Sequence, residues 1–281
     1  MSICSPRCRA RFVTALSNLV PRKRLGQHFL TNQAIAEQIV AAAHIGSDDL
    51  VLEIGPGTGA LTVWLAQRAK RVIAIELDRS LLPALKAKLG AATNVTVVHG
   101  DALAIDFEAL VGREAGAFAA VRFVANLPYY ITSAAIRRIL ECRLPIACAV
   151  LTVQAEVAER IVAQPPEMSL LAVSVQFYGR AELLFKIPAA CFSPPPKVES
   201  AVVRITPHIV RPPVDAEAFF RVVRAGFCQP RKQLRNTLAT GLGLEKSQAI
   251  AWLERAGIAP ARRAETLSVE EWVKLCERLD R

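Results

Sequence analysis

The sequence lacks several features that would place it in a special class of protein. No apolar stretch approaches the ~18 residues of a membrane span, because Lys, Arg, Asp or Glu interrupts every candidate. No internal repeat or low-complexity tract is visible. Apolar residues make up 52% of the 281 residues against 21% charged, which excludes a disordered chain. We therefore expect a soluble globular protein with no membrane partner.

Cysteine is present, but without a pattern typical of cross-links or metal sites. The seven cysteines are an odd number and include no C-x-x-C pair, which argues against a disulfide framework and a structural zinc site. We predict free thiols and no metal. Since free thiols are typical of a reducing compartment, we also predict a cytoplasmic protein.

Acidic residues are missing from the first 36 positions, which carry six basic residues. Residues 37–210 carry sixteen basic and sixteen acidic residues, and residues 211–281 carry thirteen and nine, so the net charge of +10 lies at the two ends. This distribution favours contact with a polyanion such as nucleic acid, with a merely soluble basic surface as the alternative. Residues 1–21 form a basic extension: a native arm, a transit peptide or an upstream extension.

Short apolar strands alternate with helical patterns over residues 33–153, which predicts a Rossmann-like, doubly wound parallel α/β sheet. Beyond a Pro-rich run the apolar period becomes helical, which predicts a small helical domain at 207–281 after an α/β domain at 22–206. The predicted strands are 50–54, 71–76, 95–99, 121–125, 147–153, 171–178 and 201–205. The predicted helices are 34–43, 61–69, 81–89, 133–140, 215–223, 232–239 and 245–256, and a last one follows the capping box of Ser268 and Glu271.

A glycine-rich loop follows the first predicted strand of the sheet. Residues 53–59 read Glu-Ile-Gly-Pro-Gly-Thr-Gly, and glycine there lets the backbone turn sharply and approach a ligand closely. Glu76, at the end of the next strand, is placed to accept hydrogen bonds from two ribose hydroxyls. Both features are also typical of NAD enzymes, since Gly55 and Gly57 satisfy the dinucleotide fingerprint. An NAD-dependent oxidoreductase is therefore one alternative.

Two later strand ends favour S-adenosylmethionine as the cofactor. Asp101 follows the third strand, where its carboxylate can accept a hydrogen bond from an adenine amine. The fourth strand ends in Asn126-Leu127-Pro128-Tyr129. The Asn126 amide oxygen and the Leu127 or Pro128 carbonyl can accept both N–H bonds of an exocyclic adenine nitrogen and aim it at a sulfonium methyl. Tyr129 offers a stacking face, and for the tetrapeptide alone an ordinary strand-to-helix turn is the alternative.

Four segments resemble the ribosomal RNA adenine dimethyltransferases, most closely the small-subunit branch of that family. They are residues 24–30, 52–59, 126–129 and 192–202, in the family's order across about residues 22–240. The resemblance implies a methyltransferase domain that uses S-adenosylmethionine, followed by a helical RNA-binding domain. It further implies N6-dimethylation of two adjacent adenines in a hairpin near the 3′ end of small-subunit rRNA, within a pre-ribosomal particle. We expect a monomer.

The resemblance also implies roles for single residues. Contacts with the target adenine fall on Asn126, Leu127, Pro128, Tyr129 and Phe192, although Phe192 can also be a core plug. Contacts with the cofactor fall on six positions: His28, Leu30, Gly55, Glu76, Asp101 and Asn126. Basic residues near both ends, and one in a Pro-rich loop, are predicted to contact RNA: Arg22, Lys23, Arg24, Lys197, Arg231, Lys232 and Arg235. A solvated surface is the alternative for these charges.

The chain departs from the family's usual residues at Ala155, at residues 165–169 and at Pro230, so RNA docking through these segments is left open. Two further alternatives stay open. A large-subunit rRNA methyltransferase of the macrolide-resistance type is disfavoured by Leu127, because that branch usually has isoleucine there. A nucleic-acid-binding assembly or transcription factor on the same fold would not need the chemistry of Asn126 and Tyr129.

Overall fold

The computed structural model describes residues 26–114, 116–229 and 231–278. The basic extension 1–21 and the predicted RNA contacts Arg22, Lys23 and Arg24 lie outside the described residues, as does Pro230.

The chain packs into two compact units. The first, called the α/β unit here, ends at Ala155 and resumes over Leu184–Arg204. The second, called the helical unit, holds Glu156–Leu183 and continues from Ile205. Residues 156–183 therefore pack with the helical unit, whereas the sequence pattern assigned them to the α/β domain.

Strands and helices alternate through the α/β unit, as the sequence predicts. The strands are β1 (Phe29–Leu30), β2 (Leu50–Ile54), β3 (Arg71–Glu76), β4 (Val95–His99), β5 (Val121–Asn126), β6 (Ile146–Gln154), β7 (Gly179–Ile187), β8 (Phe192–Ser193) and β9 (Ser200–Pro207). The α-helices among the described residues are α1 (Gln33–Ala42), α2 (Thr62–Arg68), α3 (Leu82–Leu89), α4 (Phe107–Gly112), α5 (Thr132–Glu141), α6 (Ala155–Val162), α7 (Leu170–Gln176), α8 (Ala216–Phe227), α9 (Leu234–Leu242), α10 (Lys246–Arg255) and α11 (Val269–Glu277).

Seven of the described strands form one sheet in the order β4-β3-β2-β5-β6-β9-β7. Strand β2 pairs in parallel with β3 and with β5, β3 pairs in parallel with β4, and β5 with β6. All five residues of β2 are buried, as expected for a central strand covered on both faces. The strand order reverses beside β2, and such a switch point places a ligand crevice at the carboxyl ends of the strands. The Rossmann-like prediction is confirmed.

The prediction of a strand over residues 171–178 is wrong, because this segment forms α7 (Leu170–Gln176) and the turn after it. Ser169 caps the helix by accepting a hydrogen bond from the Ala172 N–H at 3.1 Å. A short apolar run does not distinguish a strand from a buried helix by periodicity alone. Phe177 then stacks on Phe219 of α8, with ring centroids 4.1 Å apart.

Caps and close packing define the helical unit. Asp215 accepts a hydrogen bond from the Ala218 N–H at 2.8 Å, which confirms the predicted start of α8. The capping box of Ser268 and Glu271 at α11 is also confirmed. Trp272 of α11 is fully buried and packs closely against Gly226 of α8.

The described residues include neither a membrane-spanning helix nor a cluster of metal ligands. No helix within 26–114, 116–229 or 231–278 is both long and apolar enough to cross a membrane. Over the same ranges, no three His, Cys, Asp or Glu side chains are grouped so that they could hold a metal ion.

Candidate functional site

A pocket opens within the α/β unit at the carboxyl ends of four neighbouring strands. The loops after β2, β3, β4 and β5 form its walls, and the segment around β1 and Phe192 completes it. The lining residues fall in these segments: 26–30, 53–58, 60–61, 75–77, 100–103 and 126–131, together with Leu81 and Phe192. The pocket thus brings together all the predicted cofactor and target-adenine residues.

The glycine loop forms the floor of the pocket in a conformation that side chains rarely adopt. Gly55 and Gly57 have φ values of +68° and +56°, in the left-handed region that favours glycine. A Cβ atom at Gly57 would also lie 3.1 Å from a ring carbon of Phe29. The loop therefore presents bare backbone to the pocket, as the sequence motif predicts.

Glu76 fixes this loop from the end of β3. The side chain is 5% exposed; Oε2 accepts a hydrogen bond from the Gly57 N–H at 2.9 Å, and Oε1 accepts one from the Asp78 N–H at 2.8 Å. Burial raises the pKa of Glu76, opposed by these backbone bonds. Because a carboxylate has about four acceptor positions, Glu76 keeps capacity for a further donor.

Glu53 is a second buried carboxyl in the pocket wall, at the end of β2. The residue is 1% exposed, and this burial raises its pKa to about 8. The sequence motif includes Glu53 but assigns it no role, because burial is not readable from the motif. Two neighbouring buried carboxyls make this end of the sheet sensitive to pH.

Asp101 lies at the outer end of β4 and is exposed. Its Oδ1 accepts a hydrogen bond from the Leu103 N–H at 2.8 Å, which orients the carboxylate within the pocket wall. In the loop after the neighbouring strand β3, Asp78 accepts a hydrogen bond from Gln27 Nε2 at 3.0 Å. This bond ties the segment before β1 to the end of β3.

The Asn126 side chain is oriented by a hydrogen bond across the pocket. Its Nδ2 donates to the backbone carbonyl of His28 at 3.1 Å. With the amide nitrogen held in this way, the amide oxygen is the atom left to act as an acceptor. An acceptor at this position agrees with the role that the sequence motif predicts for Asn126.

The turn after Asn126 distinguishes between two candidate carbonyl acceptors. The Pro128 carbonyl already accepts hydrogen bonds from the Ile131 N–H at 3.1 Å and from Thr132 Oγ1 at 3.4 Å. Both of its lone pairs are therefore engaged. This leaves the Leu127 carbonyl as the candidate acceptor of the two.

Tyr129 is held beside the pocket by its hydroxyl group. The hydroxyl forms a hydrogen bond with Ser200 Oγ at 2.8 Å, and burial raises the pKa of this phenol. The ring lies 5.7 Å from that of His28, at 30° between planes. His28 Nδ1 in turn donates to the Pro194 carbonyl at 2.7 Å. Both rings are thus anchored at their polar ends.

Leu30 and Phe192 join two distant parts of the chain. They are paired in the short antiparallel ladder of β1 and β8, and they are 5% and 4% exposed. Phe192 belongs to the hydrophobic core and also lines the pocket. The two interpretations of Phe192, core plug and pocket wall, are therefore compatible.

The predicted RNA contacts that fall within the described residues are not part of the pocket lining. Lys197 is exposed in the α/β unit, and Arg231, Lys232 and Arg235 belong to the helical unit. Only Arg235 of these three is helical, because α9 begins at Leu234, two residues later than predicted. The basic cluster therefore lies at the start of a helix rather than along one helix face.

Sequence reasoning missed two apolar side chains at the rim of the pocket. Tyr130 and Leu77 line the pocket and are 57% and 43% exposed. Each directly follows a residue that the sequence analysis did single out. No sequence signal marks them, because exposure depends on how distant segments fold around the site.

Comparison with known proteins gives a consistent result. The family model described as ribosomal RNA adenine dimethylase matches residues 19–281. The small subunit rRNA methyltransferase A of Dehalococcoides mccartyi (strain CBDB1) is 47% identical over 260 residues, which cover 92% of this chain and 88% of that protein. A dimethyladenosine transferase from Plasmodium falciparum has a similar crystal structure, with a TM-score of 0.76 and 29% identity, covering 88% of this chain and 96% of that one. The crystal structure of the 23S rRNA methyltransferase ErmE is also similar, with a TM-score of 0.70 and 28% identity. The similarity covers 90% of this chain and 100% of that one.

Proposed function

Since the chain belongs to the ribosomal RNA adenine dimethylase family, we propose that it dimethylates N6 of two adjacent adenines in a hairpin near the 3′ end of small-subunit rRNA. The observation that carries this proposal is the 47% identity with a small-subunit methyltransferase over 92% of the chain. Membership of a methyltransferase family excludes the NAD-dependent oxidoreductase.

S-adenosylmethionine is the methyl donor that we propose for this pocket. When bound, it supplies an electrophilic methyl group on a sulfonium centre. The fit is supported by Gly55 and Gly57, whose positive φ angles place backbone without side chains in the pocket lining. Glu76 would hold the ribose hydroxyls and Asp101 the adenine amine, while His28 and Leu30 form the facing wall.

The target adenine would be positioned by the turn at residues 126–129. The Asn126 amide oxygen and the Leu127 carbonyl accept the two N–H bonds of the exocyclic nitrogen, which aims its lone pair. Tyr129 and Phe192 enclose the base, and Pro128 stiffens the turn. No strong general base is needed, because the nitrogen loses its proton readily once it has bonded to the methyl carbon.

RNA contacts outside the pocket are proposed for Lys197, Arg231, Lys232 and Arg235, and for the basic residues 22–24. The proposal also includes a pre-ribosomal particle as the source of the rRNA, a monomeric enzyme and a cytoplasmic location. The assignment of residues 22–206 to methyl transfer and of residues 207–281 to RNA binding stays a prediction.

A large-subunit rRNA methyltransferase is the second candidate, supported by the TM-score of 0.70 with ErmE. Two observations favour a small-subunit rRNA methyltransferase instead. Leu127 stands where the large-subunit branch usually has isoleucine, and the identity of 47% with a small-subunit enzyme exceeds the 28% with ErmE.

Mass spectrometry of rRNA nucleosides from a strain that lacks the gene separates the two candidates. We expect N6,N6-dimethyladenosine to disappear from small-subunit rRNA and to return with the wild-type gene, but not with Asn126→Ala. Loss from large-subunit rRNA instead would favour the second candidate. Unchanged nucleosides in both rRNAs would contradict both.

A further inference from the structure

The pocket rim carries an exposed aromatic side chain to which the proposed function gives no role. Tyr130 follows the turn at residues 126–129, lines the pocket and is 57% exposed. Leu77, after the last residue of β3, is 43% exposed on the same rim. Apolar surface left in water is unfavourable in proportion to its area. A rim with two such side chains is therefore suited to cover an aromatic ligand.

The Tyr130 ring lies against backbone on one side. Gly26 has a φ of +53°, and a Cβ atom there would lie 3.5 Å from Cδ1 and 3.9 Å from Cε1 of Tyr130. The neighbouring Gln27 is tied to the end of β3 through Asp78 at 3.0 Å. Tyr130 therefore packs beside a segment that is itself anchored to the nucleoside side of the pocket.

Tyr130 lines the same pocket as the two carboxylates proposed to hold the cofactor nucleoside, Glu76 and Asp101. Partial burial, together with the negative charges of Asp101 and Glu76, raises the pKa of the Tyr130 phenol. The phenol therefore stays protonated at neutral pH and keeps an O–H donor.

We propose that Tyr130 is a positioning residue that covers the nucleoside of bound S-adenosylmethionine. This inference rests on the proposed function, because the nucleoside site is part of it. Tyr130 does not act on the transferred methyl group. Its contribution is therefore expected to be equal for S-adenosylmethionine, for the product S-adenosylhomocysteine and for methylthioadenosine, which share the nucleoside.

Calorimetric titration of the full chain with these three compounds tests the proposal. Tyr130→Ala is expected to raise all three Kd values by the same factor, roughly 10-fold, as expected for a lost stacking contact. Tyr130→Phe keeps the ring and is expected to retain most of the wild-type affinity. Val198→Ala is the control, because Val198 is another exposed side chain of the same unit, 47% exposed and outside the pocket lining. This variant is expected to leave all three Kd values unchanged.

The outcomes separate this inference from the proposed function. Wild-type protein that does not bind S-adenosylmethionine overturns both. Wild-type binding with unchanged Kd values in Tyr130→Ala overturns the inference alone. Weaker binding of a small-subunit RNA hairpin with unchanged cofactor binding also overturns it, because Tyr130 would then stack on RNA. If Tyr130→Ala does not fold, Tyr130→Leu replaces it in the titrations. This variant is expected to raise the Kd values of all three compounds by the same factor.

Discussion

Glycine has opposite uses in the two compact units. In the α/β unit, Gly55 and Gly57 adopt positive φ angles and shape an open loop at the pocket. In the helical unit, a Cβ atom at Gly226 would lie 2.3 Å from Trp272, so glycine there lets two helices pack closely. The first unit keeps its backbone accessible to a ligand, whereas the second fills its interior with side chains.

Buried acidic residues show the same difference. The described carboxylic acids that are buried, Asp49, Glu53, Glu76 and Asp78, all belong to the α/β unit. In the helical unit, Asp215 and Glu271 instead cap helices at the surface. We therefore expect substitutions in the α/β unit to alter chemistry and pH dependence, and substitutions in the helical unit to alter stability and salt dependence.

The largest effect is expected at Asn126. Asn126→Ala removes the amide oxygen that aims the adenine nitrogen, and the single-turnover methylation rate should fall by ~10²-fold or more. RNA affinity should change little, because the amide contributes chiefly when the nitrogen is positioned. An unchanged single-turnover rate in a folded variant would contradict the proposed mechanism.

The next effect concerns the pH dependence of stability through Glu53. Burial raises its pKa to about 8, so the folded protein binds this proton more tightly than the unfolded chain. The resulting stabilisation is complete below the unfolded pKa and is lost as the pH rises through the folded value. The free energy of unfolding should fall by about 2–4 kcal/mol between acid and mildly alkaline pH. Denaturant titrations of Glu53→Gln should give a flatter profile, and a profile like the wild type would assign the titration elsewhere.

Gly226→Ala tests the close packing of the helical unit. The new methyl group overlaps the buried Trp272 ring, and such overpacking should lower the free energy of unfolding by about 1–3 kcal/mol. Gly112→Ala, at the end of α4 with nothing within 4 Å of the new Cβ, is the matched control and should raise stability by up to ~1 kcal/mol. Thermal unfolding at the same temperature for both variants would contradict the claim that glycine at position 226 is needed for close packing.

Glu76→Ala tests whether a buried carboxylate of the α/β unit serves the ligand. The variant should bind S-adenosylmethionine about 1–3 kcal/mol more weakly, because the ribose hydroxyls lose a charged acceptor. Asp106→Ala is the control, since Asp106 also accepts a backbone N–H, from Ala109 at 2.8 Å, but lies outside the pocket lining. Wild-type affinity in a folded Glu76→Ala protein would remove Glu76 from the cofactor site.

The smallest effect is expected for the basic cluster of the helical unit. Replacing Arg231, Lys232 and Arg235 by Gln should reduce the slope of log K for RNA against log salt by about 2–3, because fewer counterions are released. Binding of S-adenosylmethionine should not change. An unchanged slope would show that these three side chains are solvated and do not contact RNA. Lys197 would then be the next candidate for an RNA contact.

The sequence predicts the elements of the α/β unit well where apolar runs end in clear turns. Strands β2, β3 and β4 have the predicted bounds, because each run is short, β-branched and flanked by polar or glycine residues. The helix α7 was predicted as a strand, because the periodicity of a short apolar run does not distinguish a strand from a buried helix. The ladder of β1 and β8 was missed, because pairing between distant two-residue segments leaves no local pattern.

The candidate site shows the same limit on prediction. Motifs identified Gly55, Glu76 and Asn126, since their spacing after strands is a local property of the chain. Motifs did not distinguish the Leu127 carbonyl from that of Pro128, because the answer depends on which turn hydrogen bonds form. They also missed Tyr130, whose exposure depends on the position of a segment about a hundred residues away in sequence.

The ladder of β1 and β8 also has a consequence for the newly made chain. It joins Leu30 to Phe192, and the nearby bond from His28 to Pro194 spans 166 positions. Chains are synthesised from the N-terminus and fold as they emerge, so the glycine loop and strands β2 to β6 are made well before Phe192. A nascent chain therefore completes most of the sheet while its pocket still lacks one wall. The protein gains a closed ligand site only after Phe192 has been translated.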